Sequence, residues 1–148
     1  MLKRIIPILT LKDRELVKSV MFGNHKYIGD VINAVKIYNE LEVDELLVFD
    51  LSAYRLNDDL DYDFLQNITS ECFVPMTYGG SVNSIKKIEK LLKVGFEKVC
   101  LNTSSQNLKF VAESVNKFGT STICVCIDYR YIKNSPIVFY NNGKVNSG

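Results

Sequence analysis

Apolar residues gather along this chain in short, near-continuous blocks, separated by stretches where they recur every three or four positions. Five blocks predict strands: residues 4–11 (RIIPILTL), 45–51 (ELLVFDL), 74–78 (VPMTY), 98–102 (KVCLN) and 122–128 (TICVCID). Unbroken hydrophobicity, rather than strict alternation, is expected of parallel strands covered on both faces. Helical spacing predicts helices over 31–42 (Ile32, Val35, Ile37, Tyr38), 62–70 (Phe64, Leu65, Ile68), 84–94 (Ile85, Ile88, Leu91, Leu92) and 108–118 (Val111, Ala112, Val115). Gly95 and Gly119 follow the last two helices as C-terminal caps.

The order is therefore βαβαβαβαβ, with later strands starting about every 25 residues, the length of a compact βα unit. A five-strand doubly wound sheet fits the chain length, but it would normally close with a helix after the last strand. Here the chain runs instead through residues 137–140 into Asn141-Asn142-Gly143-Lys144, a hairpin signal. The competing fold is a barrel of eight strands and about 250 residues, of which this chain is a little more than half. On that reading residues 1–148 form one partial, truncated domain of about four βα units plus strand five and a hairpin. Strands one and five would then be open edges that must be covered or paired.

Composition narrows the function. The chain has 148 residues, 47% hydrophobic and 24% charged, as a single soluble globular domain with a real core should. A net charge of +1 gives no field for nucleic acid or a membrane surface. No apolar run is long enough to span a bilayer. The start, MLKRIIPILTLKD, has a short apolar stretch without a small-residue cleavage site, and reads as a buried strand of a cytoplasmic protein. The cysteines are Cys72, Cys100, Cys124 and Cys126, and there is a single histidine, His25. Cys124-x-Cys126 has no second pair to complete a metal site, so buried free thiols are the better reading and no metal or cofactor is expected.

Strand parity sorts the polar residues without any family knowledge. Arg4, Ile6, Ile8 and Thr10 share a face, as do Glu45, Leu47, Phe49 and Leu51, then Lys98, Cys100 and Asn102, then Cys124, Cys126 and Asp128. If these faces point into a barrel, Arg4, Glu45 and Lys98 form a charged layer at the N-terminal ends. Thr10, Asn102 and Asp128 lie at the C-terminal ends, where barrel active sites are built. Two cations and one anion leave a positive excess, so the layer lacks an acid. It is either a salt-bridged plug or a gate.

Thr77-Tyr78-Gly79-Gly80-Ser81 leads from strand three into a helix near Asn83, and Asn102-Thr103-Ser104-Ser105 leads from strand four into the next helix. Glycines admit a ligand close to the backbone, and helix N-termini favour anions. Together the two turns suggest a phosphate cradle. Lys18, in the loop after strand one, would add charge.

These residues carry a specific likeness. Arg4-Ile5-Ile6, Lys12-Asp13, Val17-Lys18, Gly29-Asp30, Asp44-Glu45-Leu46, Asp50, Thr77-x-Gly79-Gly80, Lys98-Val99, Asn102-Thr103 and Ile127-Asp128 resemble the HisF-type cyclase subunit of imidazole glycerol phosphate synthase. The likeness runs from residue 1 to Gly148, and favours the N-terminal part of a (βα)8 TIM barrel over the doubly wound sheet. Tyr27-Ile28-Gly29-Asp30, Ile32-Asn33-Ala34-Val35, Glu42-Val43-Asp44-Glu45-Leu46, the segment from Glu71 to Gly80 and Glu97 to Thr103 resemble more closely the HisF homologues of surface-polysaccharide clusters, associated with acetamidino sugars.

The resemblance implies a lyase or synthase-type subunit of a glutamine amidotransferase system, fed with ammonia through the barrel by a HisH-like glutaminase. It implies a phosphorylated sugar or ribulosyl-type substrate held by Lys18, Asp50, Gly80, Ser81, Asn102 and Thr103, and an ammonia gate containing Arg4, Glu45 and Lys98. Of the family's two catalytic aspartates, Asp128 matches the strand-five acid, while the strand-one acid falls on Thr10. A hydroxyl cannot act as a base near neutral pH. Ser81 stands where the family has a third glycine. Ammonia use in acetamidino-sugar synthesis is thus expected ahead of the alternatives. These are a histidine-biosynthesis cyclase, a non-catalytic phosphate-binding or docking half-barrel, or a piece whose function needs more chain. A homodimer through the open barrel edges is a further expectation.

Overall fold

A computed structural model describes residues 3–20, 23–53, 59–141 and 143–146. Asn142 of the expected turn, and Ser147 and Gly148 of the tail, lie outside them. The first ladder starts later than its hydrophobicity suggests. Pro7 has no amide to give, and the Ile5 amide is taken by the Asp44 carboxylate at 2.8 Å. Strand β1 is therefore Ile8–Lys12. Asp13 and Arg14 both take positive φ, 52° and 67°, the signature of a two-residue turn that matches strand twist. The chain folds back as β2 (Glu15–Val20) and β3 (Gly23–Gly29). This hairpin corrects the expected loop, and Lys18 lies within β2.

Four helix–strand units follow: α1 (Val31–Glu40), β4 (Leu46–Asp50), α2 (Tyr62–Ser70), β5 (Met76–Gly79), α3 (Ile85–Lys93), β6 (Lys98–Leu101), α4 (Leu108–Phe118) and β7 (Ile123–Val125). Asp30, Asp61, Ser84 and Asn107 cap the four helices by accepting from an amide three residues on. Gly95 and Gly119 follow α3 and α4 at φ +110° and +89°, as their cap positions demand.

The strands form one sheet in the order β3-β2-β1-β4-β5-β6-β7, parallel from β1 through β7. Each parallel strand lies beside the next in sequence, so there is no point at which the order reverses, as a doubly wound sheet requires. Right-handed crossovers then place all the helices on one face. This is the arc of a (βα) barrel. Leu9, Leu11, Leu46, Val48, Met76, Tyr78, Val99 and Leu101 face the helices and form the core with Val31, Val35, Leu65, Ile68, Ile88 and Leu91.

The other parity is only partly covered, and Ile8 is 55% exposed. Cover on both faces was expected from the unbroken hydrophobicity. In a closed barrel the inner residues are packed by strands from the opposite wall, and the described strands form one wall. Strand β7 is a free edge. The β1 edge is not fully open, because β2 pairs with Leu11 and Lys12.

Strand five is also shorter than expected. Asp128 begins β8 (Asp128–Ile132), which with β9 (Ser135–Tyr140) and β10 (Val145–Asn146) forms a separate antiparallel sheet. The expected turn after Tyr140 joins β9 to β10. The β8–β9 turn uses Lys133 and Asn134, again at positive φ, 48° and 64°.

Candidate functional site

The charged layer assembles at the N-terminal ends of the strands. Glu45 is 3% exposed. Its Oε2 accepts from Lys98 Nζ at 2.6 Å and Arg4 Nη2 at 3.0 Å, and its Oε1 from Thr77 Oγ1 at 2.6 Å. Burial pushes the Glu45 pKa up, but hydrogen bonds from Lys98 and Thr77 and the charges of Lys98 and Arg4 outweigh it and hold the carboxyl below its ordinary 4.5. Thr77 is the member that sequence reasoning missed. It shares the inward parity of β5 with Gly79, and applying to strand three the parity used on the other strands would have found it.

At the opposite end, the turns after β4, β5, β6 and β7 enclose a cleft of about 410 Å3. Asp50, Gly80, Ser81, Asn102, Thr103 and Asp128 all line it, so six expected residues meet there. Thr10 and Lys18 are not among its lining residues. Thr10 pairs in register with Phe49, and exposed Lys18 lies across from Lys26 on the hairpin.

Each turn has a physical cause. Gly79 passes under the Phe49 ring, where an added Cβ would come within 2.4 Å. Gly80 has φ +150°, and a Cβ there would lie 2.7 Å from the Asp50 carbonyl oxygen. The Asp50 carboxylate accepts from the Ser52 amide and hydroxyl at 2.9 and 2.8 Å. Asn102 Nδ2 donates to the Cys126 carbonyl at 3.0 Å and to Asp128 Oδ2 at 3.2 Å, tying the β6 turn to the strand-five acid. Ser104 Oγ donates to the Val82 carbonyl at 2.6 Å, joining the two turns. Among the described residues, the amides of Ser81, Val82, Thr103 and Ser104 donate to no acceptor. Unpaired amides grouped in a cleft are what an anion needs.

A family profile described as histidine biosynthesis protein matches residues 4–148. The chain belongs to that family. Among its relatives, a Pseudomonas aeruginosa protein named provisionally as imidazole glycerol phosphate synthase subunit hisF2 is 43% identical over 129 residues, 86% of this chain and 51% of that protein. A Vibrio vulnificus protein named in the same way as subunit hisF3 is 41% identical over 128 residues, 86% of this chain and 49% of that protein. The imidazole glycerol phosphate synthase subunit HisF of Campylobacter concisus is 37% identical over 146 residues, 98% of this chain and 58% of that protein. The chain spans about half the length of the curated relatives it matches.

Two thiols complete the cleft of this family member, and sequence reasoning had left both as inert core. Cys100 and Cys126 line it on neighbouring strands. The Cys100 thiol draws the Cys126 pKa down to about 7. Burial and the Asp128 carboxylate oppose this, and the Asn102 amide adds to it. The Cys100 thiol is correspondingly pushed up. Parity had put Cys126 beside Asp128, but the mutual influence of two thiols needs the strand register. No set of residues able to hold a metal ion is present among the described residues. None of the described helices is long and apolar enough to cross a membrane.

Proposed function

We propose that this chain builds the substrate end and the ammonia gate of a HisF-like synthase subunit working with a HisH-like glutaminase in acetamidino-sugar synthesis for surface polysaccharide. A phosphorylated sugar binds in the cleft, with its phosphate on the amides of Ser81, Val82, Thr103 and Ser104. Asp128, oriented by Asn102, moves protons at the reacting carbon. Ammonia enters past Arg4, Glu45 and Lys98, where Lys98 must leave Glu45 to open a path. The protein works in the cytoplasm.

The observation that carries this reading is an asymmetry. Both Glu45 carboxylate oxygens are engaged, while Thr10 stands where the resemblance puts the strand-one acid and lies outside the cleft lining. A site that keeps the ammonia entrance and one acid but lacks the second is suited to a reaction other than two-acid cyclisation. The relatives at 43% and 41% identity are both named provisionally as imidazole glycerol phosphate synthase subunits, and the polysaccharide branch rests on the likeness of residues 27–35, 42–46, 71–80 and 97–103.

The test is complementation of a strain lacking the histidine-pathway cyclase, using the gene as it stands. The expected result is no growth without histidine. Growth would overturn the polysaccharide reading in favour of the cyclase. A second reading, a phosphate-binding or docking half-barrel without turnover, is favoured by the partly open inner face and the free β7 edge. It calls for a homodimer through those edges, which light scattering would detect as twice the chain mass.

A further inference from the structure

Ser81 holds a conformation that suits glycine better. Its φ is +48°, and the left-handed region costs a residue with a Cβ about 1 kcal/mol. Besides the Ser104 bond to Val82, a contact to the Ser81 carbonyl anchors the turn. Lys87 Nζ donates to the Ser81 carbonyl at 3.0 Å. Lys87 sits in the first turn of α3, where its own amide is bound by Ser84 Oγ at 3.3 Å.

Lys87 is itself unusual. It is 8% exposed, and lysine is almost never so buried unless paired. No carboxylate among the described residues pairs with it. A carbonyl answers one of its three donors and none of its charge. Glu45, the other buried charged residue among those described, has two cations and a hydroxyl. Among the described residues, Lys87 therefore carries a positive charge with no carboxylate partner directly behind the turn, and the Ser81 and Val82 amides there have no acceptor. A charge removed from water without a counter-ion is unfavourable until an anion arrives.

We infer that Lys87 is the positioning residue of the cradle: it locks the Ser81 turn through its carbonyl and supplies the fixed charge that selects a phosphate monoester over a neutral sugar. This rests on the proposal that the cleft takes a phosphorylated sugar, and it explains how serine is accommodated where the family has glycine. The pair acts as a unit, with the lysine compensating the lost glycine in both geometry and charge.

The test is an NMR titration of the 148-residue chain with inorganic phosphate and with glycerol 3-phosphate, following the Ser81 and Thr103 amides, with glycerol as the neutral control. The native chain is expected to bind both anions and not glycerol. Lys87→Met should weaken binding by about tenfold, the effect of one nearby charge. Ser81→Gly added to Lys87→Met relieves the turn but not the missing charge, so affinity should stay low. If Lys87→Met does not fold, the double variant, whose turn needs no anchor, is measured in its place. A purely structural lysine would not alter the response to ligand charge. Raising pH through the second phosphate ionisation, about 6 for an ester, should tighten binding more in the native chain than in either variant. Native affinity in Lys87→Met, or full recovery in the double variant, would overturn the inference while leaving the cleft reading intact. No response of the native chain to either anion would remove the cleft reading and this inference together.

Discussion

Glu45 precedes β4 and Asp128 follows β7, so two carboxylates sit at opposite ends of the parallel strands. Glu45 accepts from Arg4, Lys98 and Thr77 at 2.6–3.0 Å. Asp128 accepts from Asn102 at 3.2 Å and faces a cleft. The first carboxylate is answered within the chain, and its pKa is held down by its partners. The second is flanked by amides that have no acceptor among the described residues and by a thiol whose pKa the Cys100 thiol draws down. A satisfied charge cluster contributes to holding strands together. Unsatisfied donors around an open cleft do not, and they await a ligand. The same set of strands thus carries internally paired charge at one end and donors without an acceptor, among the described residues, at the other.

The sharpest way to break this contrast is to remove the charge that holds the satisfied end. Glu45→Gln should destabilise the chain by about 3 kcal/mol, because the largely buried Lys98 loses its counter-ion and Arg4 loses its partner. Urea unfolding followed by circular dichroism would measure it. Adding Lys98→Met should recover part of the loss, since the two residues are coupled. Acid should mimic the substitution. The folded pKa lies below the ordinary 4.5, so the contribution is present above pH 4.5 and is lost as pH falls through the lower folded value. The urea midpoint should drop below pH 4.5 in the native chain and less so in Glu45→Gln.

At the other end, Gly80→Ala places a Cβ 2.7 Å from the Asp50 carbonyl oxygen. It should cost about 2 kcal/mol by the same measurement, and phosphate binding should fall with it. Asn102→Ala removes the bonds to Cys126 and Asp128 and should cost about 1 kcal/mol in stability. Its larger consequence should be loss of phosphate-induced shifts at Thr103 in an amide NMR spectrum. If Asn102→Ala proved as destabilising as Glu45→Gln, the two ends would not differ as described.

The smallest effect on stability is expected from alkylating Cys126, and it is the most diagnostic of the cleft. Iodoacetamide should label Cys126 with a rate midpoint near pH 7 while Cys100, whose thiol is pushed up, stays unmodified at neutral pH. Peptide mass mapping would distinguish the two. Equal labelling of both thiols would show that the cleft does not polarise them.

Much of this was legible beforehand. The alternation of apolar blocks and helical periods marks all five parallel strands and all four helices, because each repeat is a local property of the chain. Strand parity alone gathered Arg4, Glu45 and Lys98 at one end and Asn102 and Asp128 at the other, because side chains alternate regularly across a pleat. The two phosphate-turn segments were visible from glycine and hydroxyl residues placed before helices. The β1–β2 and β8–β9 hairpins were not. Their turns, Asp13-Arg14 and Lys133-Asn134, use positive φ without glycine, so the usual residue signal is missing.

What the sequence by itself determined is the parallel strands, the helices between them and the face each polar residue takes, since these follow from local periodicity and stereochemistry. Tertiary structure alone decided how far apart those residues lie. Thr10, with the right parity, stays outside the cleft, and Lys18 is carried away on a hairpin. Thr77 turns inward to complete the Glu45 cluster, and Lys87, which reads as an ordinary helix lysine, is buried against the Ser81 carbonyl. Those outcomes depend on strand register and on contacts between segments distant in sequence, which no local pattern encodes. The resemblance sets Thr10 at the strand-one acid position, and in the structure it does not line the cleft.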